Sequence, residues 1–296
     1  MSVVRLVVAN SAANPTAKPL AKAAPKQRPF LKWAGGKFRV LPHILLALPP
    51  GKRLIEPFVG SGAVFLNTEF DAYRLADINP DLIGLYQTLQ SQGDAFIDYA
   101  QRWFTARNNS AERYYALREK FNKLDIDREK DRREKAALFL YLNRHGYNGL
   151  CRYNSDGGFN VPFGKFKAPY FPADEMRAFH QKSQRAEFVC ADFRAVLKAA
   201  KKSDVVYCDP PYVPLTATAS FTAYARSAFG PTEQFDLAAA ADSLRRKKVP
   251  VLISNHDTPI TRELYQSAEL TAFPVRRFIS CNGTRRNNAS ELLARY

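Results

Sequence analysis

The sequence predicts an α/β fold: a parallel sheet covered on both faces, with an antiparallel hairpin at one edge and a mainly helical insertion. Short apolar runs that end in an acid or a turn recur along the chain, with helical stretches between them. That alternation is the pattern of strand–helix–strand units stacking into one parallel sheet. The runs hold apolar residues at adjacent positions, as strands covered on both faces do. Between about residues 85 and 185 the alternation stops and helical periods take over.

Residues 1–28 are rich in Ala, Pro and Lys and carry Arg5, Lys18, Lys22, Lys26 and Arg28 with no acid. They read as a disordered basic leader, too poor in arginine for a transit peptide. Lys52-Arg-Leu-Ile-Glu-Pro-Phe58 and Tyr73-Arg-Leu-Ala-Asp-Ile-Asn79 each read as a buried strand running into a loop, with a helix from Gly62 to Phe70 between them. Strands recur at Glu187–Asp192, Asp204–Asp209 and Val249–Asn255, and helices are expected at Ser220–Ala228 and Thr232–Lys247. Val275–Ser280 and Ser290–Tyr296 flank an Asn-rich loop and predict the edge hairpin.

In the middle, Glu112–Lys123 reads as a helix carrying Tyr115, Leu117 and Phe121, and Arg133–His145 as a helix stopped by Gly146. The charged run from Asp125 to Lys135 reads as a solvated helix start. The expected organisation is therefore a catalytic domain from 29–84 and 186–296, with 85–185 inserted as a second unit.

Composition narrows the function. Lys and Arg number 44 against 28 Asp and Glu, a net charge of +16. Such a surplus repels itself in a compact chain and fits a polyanion or an acidic surface as partner. No apolar run approaches the ~18 residues that cross a bilayer, and the first residues are too briefly apolar for a signal peptide. Cysteines at 151, 190, 208 and 281 have no paired spacing, so neither a disulfide framework nor a metal site is expected and a cytoplasmic location follows.

Three segments carry candidate chemistry. Glu56-Pro-Phe-Val-Gly-Ser-Gly62 lies where the first strand turns into a helix, and Gly60 and Gly62 permit close backbone approach to a ligand. Asp77, ending the next strand, is positioned to accept from ribose hydroxyls. Asp209-Pro-Pro-Tyr212 follows an apolar run, so it sits at the carboxyl end of a strand. Pro210 and Pro211 remove two donors and leave carbonyls facing the cleft; with the Asp209 carboxylate they suit an amino group, and Tyr212 offers a flat face to a ring. Phe30-Leu-Lys-Trp-Ala-Gly-Gly-Lys-Phe38 adds Lys37 for a carboxylate and Trp33 for a cationic or aromatic ligand. Taken singly, each segment also reads as ordinary turn chemistry.

Together and in this order, these segments resemble the Dam-type DNA adenine-N6 methyltransferases. The likeness continues through Leu75-Ala-Asp-Ile-Asn79, Phe139–Asn154, Phe159-Asn-Val-Pro-Phe-Gly164 and Val251–Asp257, and covers about residues 28 to 296. It implies a Rossmann-like methyltransferase sheet that uses S-adenosylmethionine, held by Trp33, Lys37, Asp77 and Asp209, with Glu56, Phe58, Gly60 and Gly62 against the cofactor. Asp192 and Phe193 would flank its adenine. The resemblance further implies that the target adenine leaves the DNA stack and meets Asp209, Pro210, Pro211 and Tyr212.

Sequence reading falls to the loop from Arg144 to Lys167. By the same likeness Arg152 reads a guanine, Leu150 and Pro162 face thymine, and Lys32 contacts the outer guanine of a GATC site. Tyr147 wedges into the vacated stack and Asn148 faces the orphaned base. Arg144, Asn154 and Asn160 belong to the same DNA-binding surface. The family also implies double-stranded DNA as partner, a monomer in solution, and a part in DNA replication and mismatch repair. Two rivals remain: methylation of RNA or protein amino groups, and a non-catalytic DNA-binding protein. His145, ending a helix, is read as a cation on the helix dipole, and His256 as a loop cap.

Overall fold

A computed structural model describes residues 26–214, 229–275 and 289–296. The first 25 residues of the leader, the expected helix at Ser220–Ala228, Cys281 and nearly all of Val275–Ser280 with its Asn-rich loop lie outside the described residues.

Five parallel strands form the body of the sheet: β1 Arg53–Glu56, β2 Ala72–Asp77, β3 Ala186–Cys190, β4 Asp204–Cys208 and β5 Val251–His256. Two antiparallel strands, β6 Glu269–Val275 and β7 Ala289–Arg295, complete the order β3-β2-β1-β4-β5-β7-β6. The Rossmann-like sheet and its C-terminal hairpin are thus as expected, but the first hairpin strand begins at Glu269 and ends where the sequence reading began it.

Alternation within each strand feeds two cores. Leu54, Leu75, Val205 and Leu252 face one side, and Ile55, Ala76, Val206 and Ile253 face the other. A strand with apolar residues on both faces has no stable exposed orientation, which is why these runs become central strands. The second face is covered by α8 Phe193–Lys198 and α9 Pro231–Arg246 through Val196, Leu237, Ala241 and Leu244. α10 Pro259–Leu264 follows β5, capped by Thr258.

Near the start of the described chain, α1 Leu41–Ala47 packs Leu41 and Ile44 into the first core. Between β1 and β2 the helix is shorter than Gly62–Phe70: α2 spans Ala63–Leu66 only. Asn67 Nδ2 turns back to Ala63 O at 2.8 Å and Thr68 Oγ1 to Val64 O at 3.0 Å, side-chain bonds that compete with continuation of the helix.

Between β2 and β3 the chain forms α3 Pro80–Gln92, α4 Asp94–Gln101, α5 Ala111–Lys123, α6 Glu129–His145 and α7 Ala173–Ser183. Residue 85 falls inside α3. One hydrophobic cluster runs without a break from Leu54 and Tyr73 of the sheet through Tyr86 of α3 to Leu138, Phe139 and Leu142 of α6. On α5 the buried face uses Tyr114, Leu117 and Phe121, whereas Tyr115 is 43% exposed. Tyr114 is three residues before Leu117 and seven before Phe121 and so shares their face, which Tyr115, two before Leu117, cannot; its buried hydroxyl donates to Val161 O at 3.0 Å.

His145 is also not the cation expected from its helix-end position. It is buried, stacked on Tyr141 at 3.9 Å, with Nδ1 on Tyr141 O. Burial lowers its pKa to about 4, so the ring stays neutral.

Candidate active site

The carboxyl ends of β1 and β4 lie at the point where strand order reverses, since β1 is flanked by β2 on one side and β4 on the other. Connections leaving the two sides cover opposite faces, and a crevice opens between them. Glu56 ends β1, Asp77 ends β2, and Asp209 is the residue after β4.

After β1, Gly60 and Gly62 take φ of 46° and 72°, left-handed values that a Cβ makes costly. A Cβ on Gly60 would stand 2.9 Å from Trp33 Nε1, so only glycine lets the Trp33 indole rest on the turn. Gly60 N donates to Asp77 Oδ2 at 3.2 Å and Asn79 N to Asp77 Oδ1 at 3.0 Å. Each carboxylate oxygen keeps a lone pair for a ligand. Burial raises the Asp77 pKa in spite of those donors.

Asp209 is held by a relay. Lys37 Nζ lies 2.8 Å from its Oδ1, and Ser254 Oγ 3.0 Å from the same oxygen. Behind Ser254 stands the Tyr207 hydroxyl, again at 3.0 Å. Burial raises the Asp209 pKa, and Lys37 and Ser254 oppose the rise. The Lys37 ammonium also sits 4.4 Å from the Tyr212 ring centre and 2.6 Å from Gly35 O. Glu56 is 2% exposed, and its pKa is pushed well above the carboxylate range by burial first and the Asp209 charge second. Its Oε1 has no hydrogen-bond partner.

The Asp-Pro-Pro-Tyr loop departs from expectation at one atom. Pro211 O does not face the cleft; it accepts from the buried Gln234 Nε2 at 2.7 Å. Without that acceptor Gln234, which is 0% exposed, would bury an unmatched amide. Asn255 Oδ1 accepts from Val213 N at 3.0 Å, and His256 Nδ1 donates to Val213 O at 2.7 Å while its ring meets Tyr212 edge-on. His256 therefore braces the loop behind Tyr212.

Phe58 and Phe193 meet with centroids 5.4 Å apart, and Asp192 caps α8 by accepting from Arg194 N. Most of the expected DNA-facing residues lie at the end of α6 and after it, between 144 and 162. Gly149 packs against Lys32 so closely that a Cβ there would stand 2.2 Å from Lys32 Cβ, and the Lys32 ammonium lies 3.8 Å over the Phe166 ring. Arg152 is exposed and donates from Nε to Asn160 Oδ1 at 2.7 Å. Asn154 Oδ1 accepts from Gly158 N, closing the turn between them. Tyr147 is 52% exposed, its N–H on Pro162 O, and Asn148 has a φ of 53°. Leu150 is half-buried against the core. Arg144 is turned inward, with Nε on Tyr170 O at 3.0 Å and Nη1 on Phe30 O at 3.4 Å.

Ser254, Tyr207, Gln234 and Asn255 escaped the sequence reading. Their signal was present in β5, where Ser254-Asn255 interrupts an otherwise apolar run, and polar side chains inside a buried strand must have partners. Burial raises the thiol of Cys151 to about 11 and that of Cys208 further, so neither is a thiolate nucleophile.

Residues 33–277 match the family model described as D12 class N6 adenine-specific DNA methyltransferase. The chain is 53% identical over 271 residues to a DNA adenine methylase of Salmonella typhi, covering 92% of this chain and 96% of that one. A DNA adenine methylase of Escherichia coli strain K12 is 52% identical over the same shares. One from Vibrio cholerae is 50% identical over 270 residues, 91% of this chain and 96% of the relative.

Proposed function

The chain belongs to the D12 class N6 adenine-specific DNA methyltransferases, and on that premise we propose that it methylates adenine N6 in GATC sites of duplex DNA, with S-adenosylmethionine as donor and the target base turned out of the stack. Membership sets aside the readings as an RNA or protein methyltransferase and as a non-catalytic binding protein. The observation that supports the donor site is the grouping of Glu56, Asp77 and Asp209, at the ends of three neighbouring strands, around the Gly60 turn on which Trp33 rests.

These residues fit the donor. The unpaired Oε1 of Glu56 is a buried acceptor waiting for a cationic donor, which the α-ammonium of S-adenosylmethionine would provide. Asp77 has lone pairs left for ribose hydroxyls, and Phe58, backed by buried Phe193, offers an apolar face to the cofactor adenine. When bound, the cofactor supplies a methyl group on a sulfonium, already electrophilic, so the chain contributes geometry and charge.

Asp209 accepts hydrogens of the adenine amino group through its carboxylate, and Pro210 O can take the second. Positive charge grows on that nitrogen as the new bond forms, and fixed acceptors favour it. A carboxylate whose pKa burial has raised is the stronger base for the proton the nitrogen must lose. Tyr212 stacks on the target ring. In the structure Lys37 holds the place between Asp209 and the Tyr212 face, so it must swing aside for the base; cofactor carboxylate is its next partner in this reading.

Arg152, Leu150, Pro162 and Lys32 read the site, and Tyr147 with Asn148 fills the gap. The basic surplus tracks phosphates, residues 85–185 act as the recognition unit, and the enzyme works as a monomer. Duplex DNA incubated with pure protein and methyl-labelled cofactor should gain N6-methyladenine at GATC alone. Label at other sequences would refute the site, and no label on DNA would refute the proposal.

A further inference from the structure

Tyr153 reaches from the arm that carries Arg152 to the loop after β2, beside the contact of Asn79 Nδ2 with Cys151 Sγ at 3.4 Å. Asn160 N donates to Arg152 O and Asn154 N to Gly158 O, while Tyr153 bridges Phe159 across the arm. Neighbouring residues of an extended arm point to opposite faces. Arg152 is therefore exposed, and Tyr153 turns inward, edge-on to buried Phe159 at 5.7 Å. Its hydroxyl lies 2.7 Å from Asp81 Oδ2 and 3.3 Å from Asn79 Oδ1.

Asn79 and Asp81 open α3 directly after Asp77. Asn79 Oδ1 accepts from Asp81 N and Leu82 N as the helix cap, and Asn79 N donates to Asp77 Oδ1 at 3.0 Å. The other oxygen of Asp81 lies 3.5 Å from Lys135 Nζ on α6. Hydrogen bonds thus run without a gap from the arm through Tyr153 to Asn79, Asp77 and the Gly60 turn. Tyr153, Trp33 and Asp77 also line one cleft of about 660 Å³. Packing on Phe159 needs only a ring, so the hydroxyl requires another explanation.

We propose that Tyr153 is a positioning residue: through Asp81 and Asn79 its hydroxyl ties the base-reading arm to the cofactor-side loop, coupling guanine recognition at Arg152 to cofactor binding at Asp77. The proposal rests on the reading of the site given above. Coupling of this kind is reciprocal, so it can be measured from either ligand.

The test uses the full chain and Tyr153→Phe, which removes one oxygen and keeps the ring. Three quantities are read: the melting temperature, the ratio of kcat/KM for GATC over a duplex lacking the guanine read by Arg152, and the factor by which the GATC duplex tightens S-adenosylhomocysteine in calorimetry. Loss of one charge-assisted hydrogen bond should lower the ratio roughly ten-fold and bring the tightening factor toward one, with melting little changed. Asp81→Asn, which keeps an acceptor for the hydroxyl, should retain both. The proposal is overturned if Tyr153→Phe keeps the ratio and the factor, if both fall only in step with melting, or if the unaltered enzyme has no tightening factor to lose. If Arg152→Ala leaves guanine discrimination intact, the assignment of Arg152 fails instead, and the tie stands or falls on the tightening factor alone.

Discussion

Ser254→Ala removes a single oxygen from the middle of the active site. Ser254 is 0% exposed, and its Oγ lies 3.0 Å from both Asp209 Oδ1 and the Tyr207 hydroxyl. A carboxylate only accepts and a serine has one proton, so Ser254 donates to Asp209 and Tyr207 donates to Ser254. The substitution deletes a hydrogen bond to a charged group, about 1.5–3 kcal/mol, and strands the buried Tyr207 hydroxyl, about 1–3 kcal/mol.

Only the first of those losses reaches the reacting centre. A fall of roughly ten- to hundred-fold in kcat/KM is therefore expected, with a loss of stability about twice as large in free energy. Ser254 holds the Asp209 pKa down against burial, so its removal raises that pKa further and the acid limb of activity moves to higher pH. The sign for stability follows: the variant's deficit is full at neutral pH and shrinks as pH falls through the raised folded-state pKa of Asp209, leaving the Tyr207 part.

Methylation rates against pH and thermal melting of the single variant and of Ser254→Ala/Tyr207→Phe make the assay. The second change removes the stranded hydroxyl, so it should restore about 1–3 kcal/mol of stability and none of the activity. If Ser254→Ala melts early yet keeps its kcat/KM and its acid limb, Ser254 is a packing residue and Asp209 is oriented without it.

Three further outcomes are expected. Because the His145 pKa is lowered to about 4 in the fold, the chain should lose on the order of 3 kcal/mol of stability as pH falls from ~6.5 toward that value; His145→Phe should flatten this slope in pH-dependent melting. Gly60→Ala forces a Cβ against Trp33 at a positive φ, which should cost about 1–2 kcal/mol of stability and weaken cofactor binding in titration; unchanged affinity would separate the turn from the cofactor. Arg152→Ala should relax preference at one base position by ~1–3 kcal/mol and leave the others alone, as kcat/KM over all single-base variants of GATC would reveal.

Much of this architecture is legible along the chain. Leu54-Ile55, Val205–Cys208 and Val251–Ile253 are apolar at consecutive positions, and a strand of that kind can only be central, whatever surrounds it. Glu56–Gly62, Leu75–Asn79 and Asp209–Tyr212 fall at strand ends for the same reason, since acids and glycines collect where a buried strand stops. Helical period itself favours Tyr114, three residues before Leu117 and seven before Phe121, over the expected Tyr115, which is only two before Leu117. Period could not show that Asn67 and Thr68 end α2 early.

What a residue is chemically, and whether it tends toward strand, helix or turn, was settled by its neighbours within a few positions. What each acid and histidine does was settled by segments far away in sequence. Asp209 meets Ser254 across 45 residues because β4 and β5 pair with Cys208 opposite Ile253. His145 is neutral because Phe104, from before α5, closes over it beside Tyr141 of its own helix. Local preference is a short-range property of the backbone, whereas desolvation and charge pairing are sums over every atom nearby, and only the folded chain decides which atoms those are.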